Sequence, residues 1–295
     1  MTSIPPPSVD DERDPRPRPA TRQPSATRGA AGWPWWSSFA VLFGAFVTLN
    51  IIGIVVAAAS GDAKTLTDPS PALNRVLTGA QELVFIGAAV GMACLLGRPT
   101  AADFGLVRPP RIGRALRILA LVGVGFYAFG AAWSAALGLH EKQDLPDRLG
   151  ASGPTLGVIG VIVLITVFAP LAEEILFRGY IYAALRNLRG IWPAAIVTGI
   201  LFGLVHAGSA PVGFLVPLGV FGFGLCLLRE FGGSLYPCMA LHALNNSIAL
   251  GFTLHYDWQI PVMMVGSVIA VLALATLLAR LLGREDIGAA PVPAT

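Results

Sequence analysis

The chemistry this chain could perform is concentrated in three short stretches. The first is Pro170-Leu-Ala-Glu-Glu-Ile-Leu-Phe-Arg-Gly179, which puts two acids and an arginine at the end of the apolar run Leu156 to Leu171. A carboxylate or guanidinium at bilayer depth costs roughly 2.5 to 3.5 kcal/mol even on lenient insertion scales. Three together need partners or a purpose. On a helix Glu174 and Arg178 stand four residues apart on one face, while Glu173 is turned about 100° away, so the pair can neutralise itself and leave Glu173 available. The second stretch is Phe202-Gly-Leu-Val-His206 and the third is His242-Ala-Leu-Asn-Asn246, both inside apolar segments. His242 and Asn246 share a helix face and can point at one spot. A carboxylate in a poorly solvated cavity, with imidazoles beside it, suits a general base. The same Glu173, His206 and His242, with Asn246 nearby, also have the ligand types of a zinc site, so the residues are compatible with no cofactor or with one divalent metal ion. No GxSxG or HExxH is present, and no residue is placed as a covalent nucleophile.

These residues need membrane helices to hold them. Of 295 residues 55% are hydrophobic and only 13% charged, with a mean hydropathy of +0.69, which describes an all-α, polytopic integral membrane protein. The net charge of +3 and pI near 9.0 come from arginine, which supplies 18 of the 20 basic residues. In such a chain that excess sets topology and does not indicate a nucleic-acid partner. Cys94, Cys226 and Cys238 lie in apolar runs without CxxC spacing and read as small buried hydrophobes.

Residues 1–32 are rich in Pro, Arg and Ser and read as a disordered cytoplasmic tail. Trp33, Trp35 and Trp36 read as an interfacial anchor for the first helix. About eight spans follow, near 33–60, 76–96, 115–137, 156–186, 192–206, 212–228, 235–254 and 260–282. They group as three N-terminal helices over 33–150, a core of four helices over 151–256, and an eighth helix with a cytoplasmic C-terminal tail over 257–295. Arg98, Arg108, Arg111, Arg114, Arg117, Arg186, Arg189, Arg229, Arg280 and Arg284 fall on one side, against Lys64, Arg75, Lys142 and Arg148 on the other, which puts both termini in the cytoplasm of a multi-pass cell-membrane protein.

Depth arithmetic decides where the fourth helix ends. If it stopped at Arg178, Glu173 would lie near the surface and His206 roughly 21 Å deeper, at 1.5 Å per residue. If it runs on to Arg186 or Arg189, Glu173 lies roughly 20 to 24 Å deep, level with His206, and Arg178 is buried and needs Glu174.

Each motif also has a structural reading. Glu174 and Arg178 read as an ion pair supporting the site from behind. Asn246 alone could be interhelical glue, which contributes roughly 0.6 to 2 kcal/mol in membranes, and Asn245 competes with it at three residues from His242. Phe177 and Phe202 read as packing. Gln81 and Glu82, near the start of the second helix, read as interfacial or snorkelling, and His140 and His255 as surface groups. An ion-coupled transporter also buries Glu, Arg and His, but no inverted repeat of the motifs is visible.

Glu173-Glu174-x-x-x-Arg178, Phe202-x-x-x-His206 and His242-x-x-x-Asn246, in that order on separate helices, resemble the CPBP family (CAAX protease and bacteriocin-processing, Abi-type) of intramembrane endopeptidases. The resemblance covers roughly Leu156 to Leu254, and Ala101-Ala-Asp-Phe-Gly-Leu106 is similar to a short segment many bacterial members carry. It implies hydrolysis of a peptide bond in a membrane-associated or lipid-modified peptide or protein substrate at the cytoplasmic membrane face. Glu173 would polarise a water held also by His206, and His242 and Asn246 would stabilise the oxyanion. A catalytically idle immunity or scaffold protein of the same fold would carry the same motifs.

Overall fold

The structure, a computed structural model, describes residues 32–61, 68–139 and 145–283. The expectations for the N-terminal tail up to residue 31, for Lys64, Lys142, His140 and Arg284, and for the C-terminal tail fall outside those residues. Among the described residues all regular structure is helical apart from one isolated bridge, Ala207 to Ala210. We number the helices α1 (Trp36–Ser60), α2 (Pro71–Leu96), α3 (Ile112–Leu137), the single turn α4 (Leu145–Arg148), α5 (Thr155–Arg189), α6 (Ile191–Val205), α7 (Val212–Gly232), α8 (Tyr236–Thr253) and α9 (Gln259–Leu281).

Six of these, α1, α2, α3, α5, α7 and α9, are long and apolar enough to cross a membrane. α6 is apolar but has only 15 residues, and α8 has 18 and carries the polar HxxxN stretch. The eight expected segments are therefore all helical, and the two that fall short are those that present His206 and His242. The chain is a polytopic helical membrane protein by these features.

α5 is the centre of the bundle. At 35 residues it is roughly 52 Å long on an α-helical rise, longer than the ~30 Å hydrocarbon core, so its arginine-bearing end, Arg186 and Arg189, projects beyond the depth at which Glu173 sits. It is regular over most of its length but opens into π-turns at Leu164–Phe168 and Ile175–Ile181. Pro170 accounts for the first. It has no N–H to give and its ring crowds the carbonyl one turn back. The wider turn relieves this, with the Ala169 N–H reaching Leu164 O. That leaves the Ile165 carbonyl without its usual backbone donor, and the Asn246 side chain supplies one at 2.9 Å.

Around α5 the neighbours pack through small residues. A Cβ on Gly199 would lie 2.7 Å from the Gly219 carbonyl, so α6 and α7 cross backbone to backbone, as small-xxx-small faces do in membranes. Gly199 and Gly203 take that face, and Phe202 and His206 are thereby turned elsewhere. Ser247 and Ser267 hydrogen-bond at 2.9 Å between α8 and α9.

The segment between α2 and α3 folds over the arginine-bearing end. Phe104 is fully buried, 5.1 Å centroid to centroid from Trp33 and against Gly179 of α5. Gly105 adopts φ +76°, and a Cβ there would collide with the Arg229 guanidinium, so the turn is closed to side chains on both counts. Its carbonyl accepts from the Leu235 N–H at 2.8 Å, which anchors the start of α8. Trp33 differs from the expected anchor role: Trp35 and Trp36 are half exposed, but Trp33 is buried and stacks on Tyr180 at 4.5 Å.

Candidate active site

Glu173 and Glu174 are consecutive on α5 and both buried, yet their surroundings differ. Glu174 is fully enclosed. Its Oε1 accepts from Arg178 Nη1 at 2.8 Å, one helical turn on, and from His242 Nδ1 at 2.9 Å. Arg178 is equally enclosed. Its Nη2 donates to the Gly222 carbonyl of α7 at 3.0 Å, and its guanidinium carbon lies 4.2 Å from the Phe202 ring centroid. A buried cation with a carboxylate, a carbonyl and an aromatic face around it is one of the arrangements that make a charge tolerable in low dielectric. Gly222 must stay small, because a Cβ there would meet Phe202 at 2.9 Å.

Glu173 points to the other side. Its Oε2 has no hydrogen-bond partner, and His206 Nε2 and His242 Nε2 each stand 3.9 Å from it. The ring tautomers follow from the far nitrogens. His206 Nδ1 lies 2.7 Å from Phe202 O, an acceptor only, so Nδ1 carries the proton. His242 Nδ1 likewise donates to the Glu174 carboxylate. In the neutral rings each Nε2 is then a bare lone pair aimed at the space beside Glu173. His206 is held at the end of α6, where its carbonyl accepts from Ser209 and Ala210 at 3.0 Å each, and its side chain is 22% exposed against 4% for His242. The aromatic wall is Phe202, Phe177 and Phe221: Phe202 and Phe221 present edges to His242 at 5.8 and 5.6 Å.

Of the residues expected in the site, the structure brings Glu173, His206 and His242 to one point, with Glu174 and Arg178 behind them. Asn246 is one turn beyond His242 but engaged on its flank. Its amide donates to Ile165 O, its carbonyl accepts from Asn245 at 3.2 Å, and Asn245 in turn accepts from Tyr127 at 3.1 Å. Both asparagines thus belong to one interhelical chain.

Glu82 corrects an expectation. It is neither interfacial nor snorkelling: it is 2% exposed, and its Oε2 is without a partner. α2 begins five residues earlier than the hydropathy pattern suggests, at Pro71 behind the Ser70 N-cap, which accepts from Leu73 N at 3.3 Å. A Ser-Pro start signal was therefore available to place Glu82 deep in the span. Gly222 and Ile165 act through backbone carbonyls, which side-chain motifs do not reveal.

The spacing also bears on a metal. Two ligands about 2.1 Å from one zinc in tetrahedral geometry sit roughly 3.4 Å apart. Both gaps at Glu173 Oε2 are 3.9 Å, and among the described residues no group of three or more His, Cys, Asp or Glu has metal-holding geometry. The residues as placed do not fit a zinc ion. A water in the same space can donate one hydrogen to Glu173 Oε2 and the other to an imidazole Nε2.

A match to a curated relative, "UPF0177 protein YxdF" of Lactococcus lactis, is 26% identical over 112 residues, covering 36% of this chain and 60% of that protein. The match thus spans somewhat less than two thirds of the relative's own length. No solved structure matches. Residues 155–248, from the start of α5 to a point in α8 just past Asn246, match the family described as Type II CAAX prenyl endopeptidase Rce1-like, and with them the resemblance to the CPBP membrane endopeptidases is shown over the stretch that builds this site.

Proposed function

We propose that this chain is an intramembrane endopeptidase that hydrolyses a peptide bond in a membrane-associated or lipid-modified peptide, with Glu173 as the base. The observation that carries the reading is the unpartnered Glu173 Oε2 facing two imidazole nitrogens whose opposite sides are already engaged. A water placed there loses a proton to Glu173 while its oxygen attacks the carbonyl carbon. The C–O bond forms and the carbonyl electrons move to the oxyanion. On collapse the C–N bond breaks and the proton held by Glu173 passes to the leaving amine, so the carboxylate is restored. His206 holds the water. His242 acts as the imidazolium throughout, with its Nδ1–H on Glu174 and its Nε2–H on the developing oxyanion beside the second N–H of Asn246, so it gains and loses no proton in the cycle. The Glu174 carboxylate, paired with Arg178, holds that ring in place and balances its charge.

The arginine excess at the Arg189 end of α5 supports a cytoplasmic orientation for that end. The test is a comparison of membrane peptides from cells with the protein, without it, and with Glu173→Gln in its place. Uncleaved precursors should accumulate in the last two alike. Identical peptide profiles in all three would reject the peptidase reading. On the purified protein, elemental analysis and chelation separate the two chemistries: full activity in a metal-free preparation supports the glutamate-base mechanism, while loss on chelation with recovery on stoichiometric Zn²⁺ would refute it.

A further inference from the structure

The mechanism leaves one buried acid unused. Glu82 lies on α2, whose enclosed residues Glu82, Phe85, Ala89 and Ala93 form a single stripe at helical spacing. That stripe packs on α5 along the portion holding both π-turns and Glu173. The depths agree. Glu82 is 14 residues from the Leu96 end of α2 and Glu173 is 16 from the Arg189 end of α5, roughly 21 and 24 Å on the helical rise, ends that the Thr100–Val107 cap joins to one side of the bundle. α2 contacts the Ala169–Glu174 stretch of α5, the turn that carries Glu173.

Among the described residues no cation pairs with Glu82. Its Oε1 has only a long contact, 3.4 Å, from Gln81 Nε2, and its Oε2 has none. Two carboxyl groups sharing a poorly solvated site do not both ionise, and an isolated buried carboxylate is neutralised rather than kept charged. Hydrolysis needs the charge on Glu173, which is the more exposed of the two at 8% against 2%.

We propose that Glu82 is a positioning residue of the site, a buried carboxylic acid that keeps its proton and donates it as a hydrogen bond toward Glu173, fixing the orientation of that carboxylate. The proposal rests on the reading of Glu173 as base. Glu82 gains and loses no proton in the cycle; it presents a donor to the one carboxylate in the site that otherwise lacks one. A donor in this position holds the rotamer of Glu173, and the effect falls on kcat and not on substrate binding.

Two measurements test it. Infrared difference spectra of the full-length protein in detergent or bilayers should contain a carboxylic-acid C=O stretch that is lost in Glu82→Gln and shifted in Glu173→Gln. This readout needs no substrate, so it remains decisive even if the peptidase reading fails. Absence of that band, or a band insensitive to Glu82→Gln, would overturn the proposal. In cleavage assays Glu82→Leu should lower kcat about ten- to a hundredfold at unchanged KM and undiminished thermal stability, and Glu82→Gln, which retains an N–H donor, should restore most of the lost rate. Wild-type kcat in Glu82→Leu, or equal loss in both variants, would overturn the proposal as well. If Glu82→Leu does not fold, the band and the Glu82→Gln rate still decide.

Discussion

Consecutive residues on one helix, Glu173 and Glu174, sit in opposite kinds of environment. On the Glu174 side the charges are paired: Arg178, His242, the Gly222 carbonyl and the Phe202 face close around it, leaving only Glu174 Oε2 and Arg178 Nε without a hydrogen bond. On the Glu173 side a carboxylate oxygen stands 3.9 Å from each of two imidazole nitrogens. A helix turns about 100° per residue, so one step along the chain is enough to separate support from reactivity. The closed side contributes rigidity, and the open side keeps the unspent hydrogen-bonding capacity that chemistry needs.

Substitutions on the two sides should therefore fail differently. The largest loss of stability is expected from Arg178→Ala, which strands the Glu174 carboxylate in a low dielectric. Thermal or denaturant unfolding should show about 3 to 5 kcal/mol of destabilisation. Normal melting with activity lost would instead put Arg178 among the reacting groups. Glu174→Gln keeps the shape and one acceptor, and about 2 kcal/mol is expected, with a partial loss of rate as His242 loses its charged anchor. Asn246→Ala removes the donor to Ile165 O and leaves that carbonyl orphaned at the π-turn, for about 1 to 2 kcal/mol. A larger drop in kcat than in stability would point to the second N–H facing the oxyanion. Phe202→Leu should be the mildest, about 1 kcal/mol through lost aromatic contact with Arg178, read by the same unfolding assay.

Much of the candidate site is legible in the sequence, for a physical reason. Charged and imidazole groups are so costly at membrane depth that their positions stand out against an apolar background, and helical spacing then assigns them to faces. The depth argument that carried α5 on past Arg178 depended only on the rise per residue, and α5 does run to Arg189. Glu82 was misread because a single acid near the edge of an apolar run looks interfacial until the helix start is fixed by its cap. The role of Gly222 was not legible, since glycine in a membrane helix is common and its carbonyl carries no sequence signal. Asn246 was recognised as a motif residue, but its bond to Ile165 depends on the π-turn that Pro170 induces, a local deformation that a uniform helical wheel omits. Trp33, grouped with Trp35 and Trp36 by composition, turned inward onto Tyr180 because Phe104 closes the other side of the same pocket.

The division between the two glutamates is tested most directly by the initial cleavage rate of Glu173→Gln, measured at matched folded-protein concentration beside its melting temperature. The amide keeps shape and hydrogen bonding but cannot take a proton, so the rate should fall at least a hundredfold to ten-thousandfold with the melting temperature unchanged. A rate within tenfold of the unsubstituted protein, or a fall explained by unfolding, would contradict the assignment of Glu173 as the base.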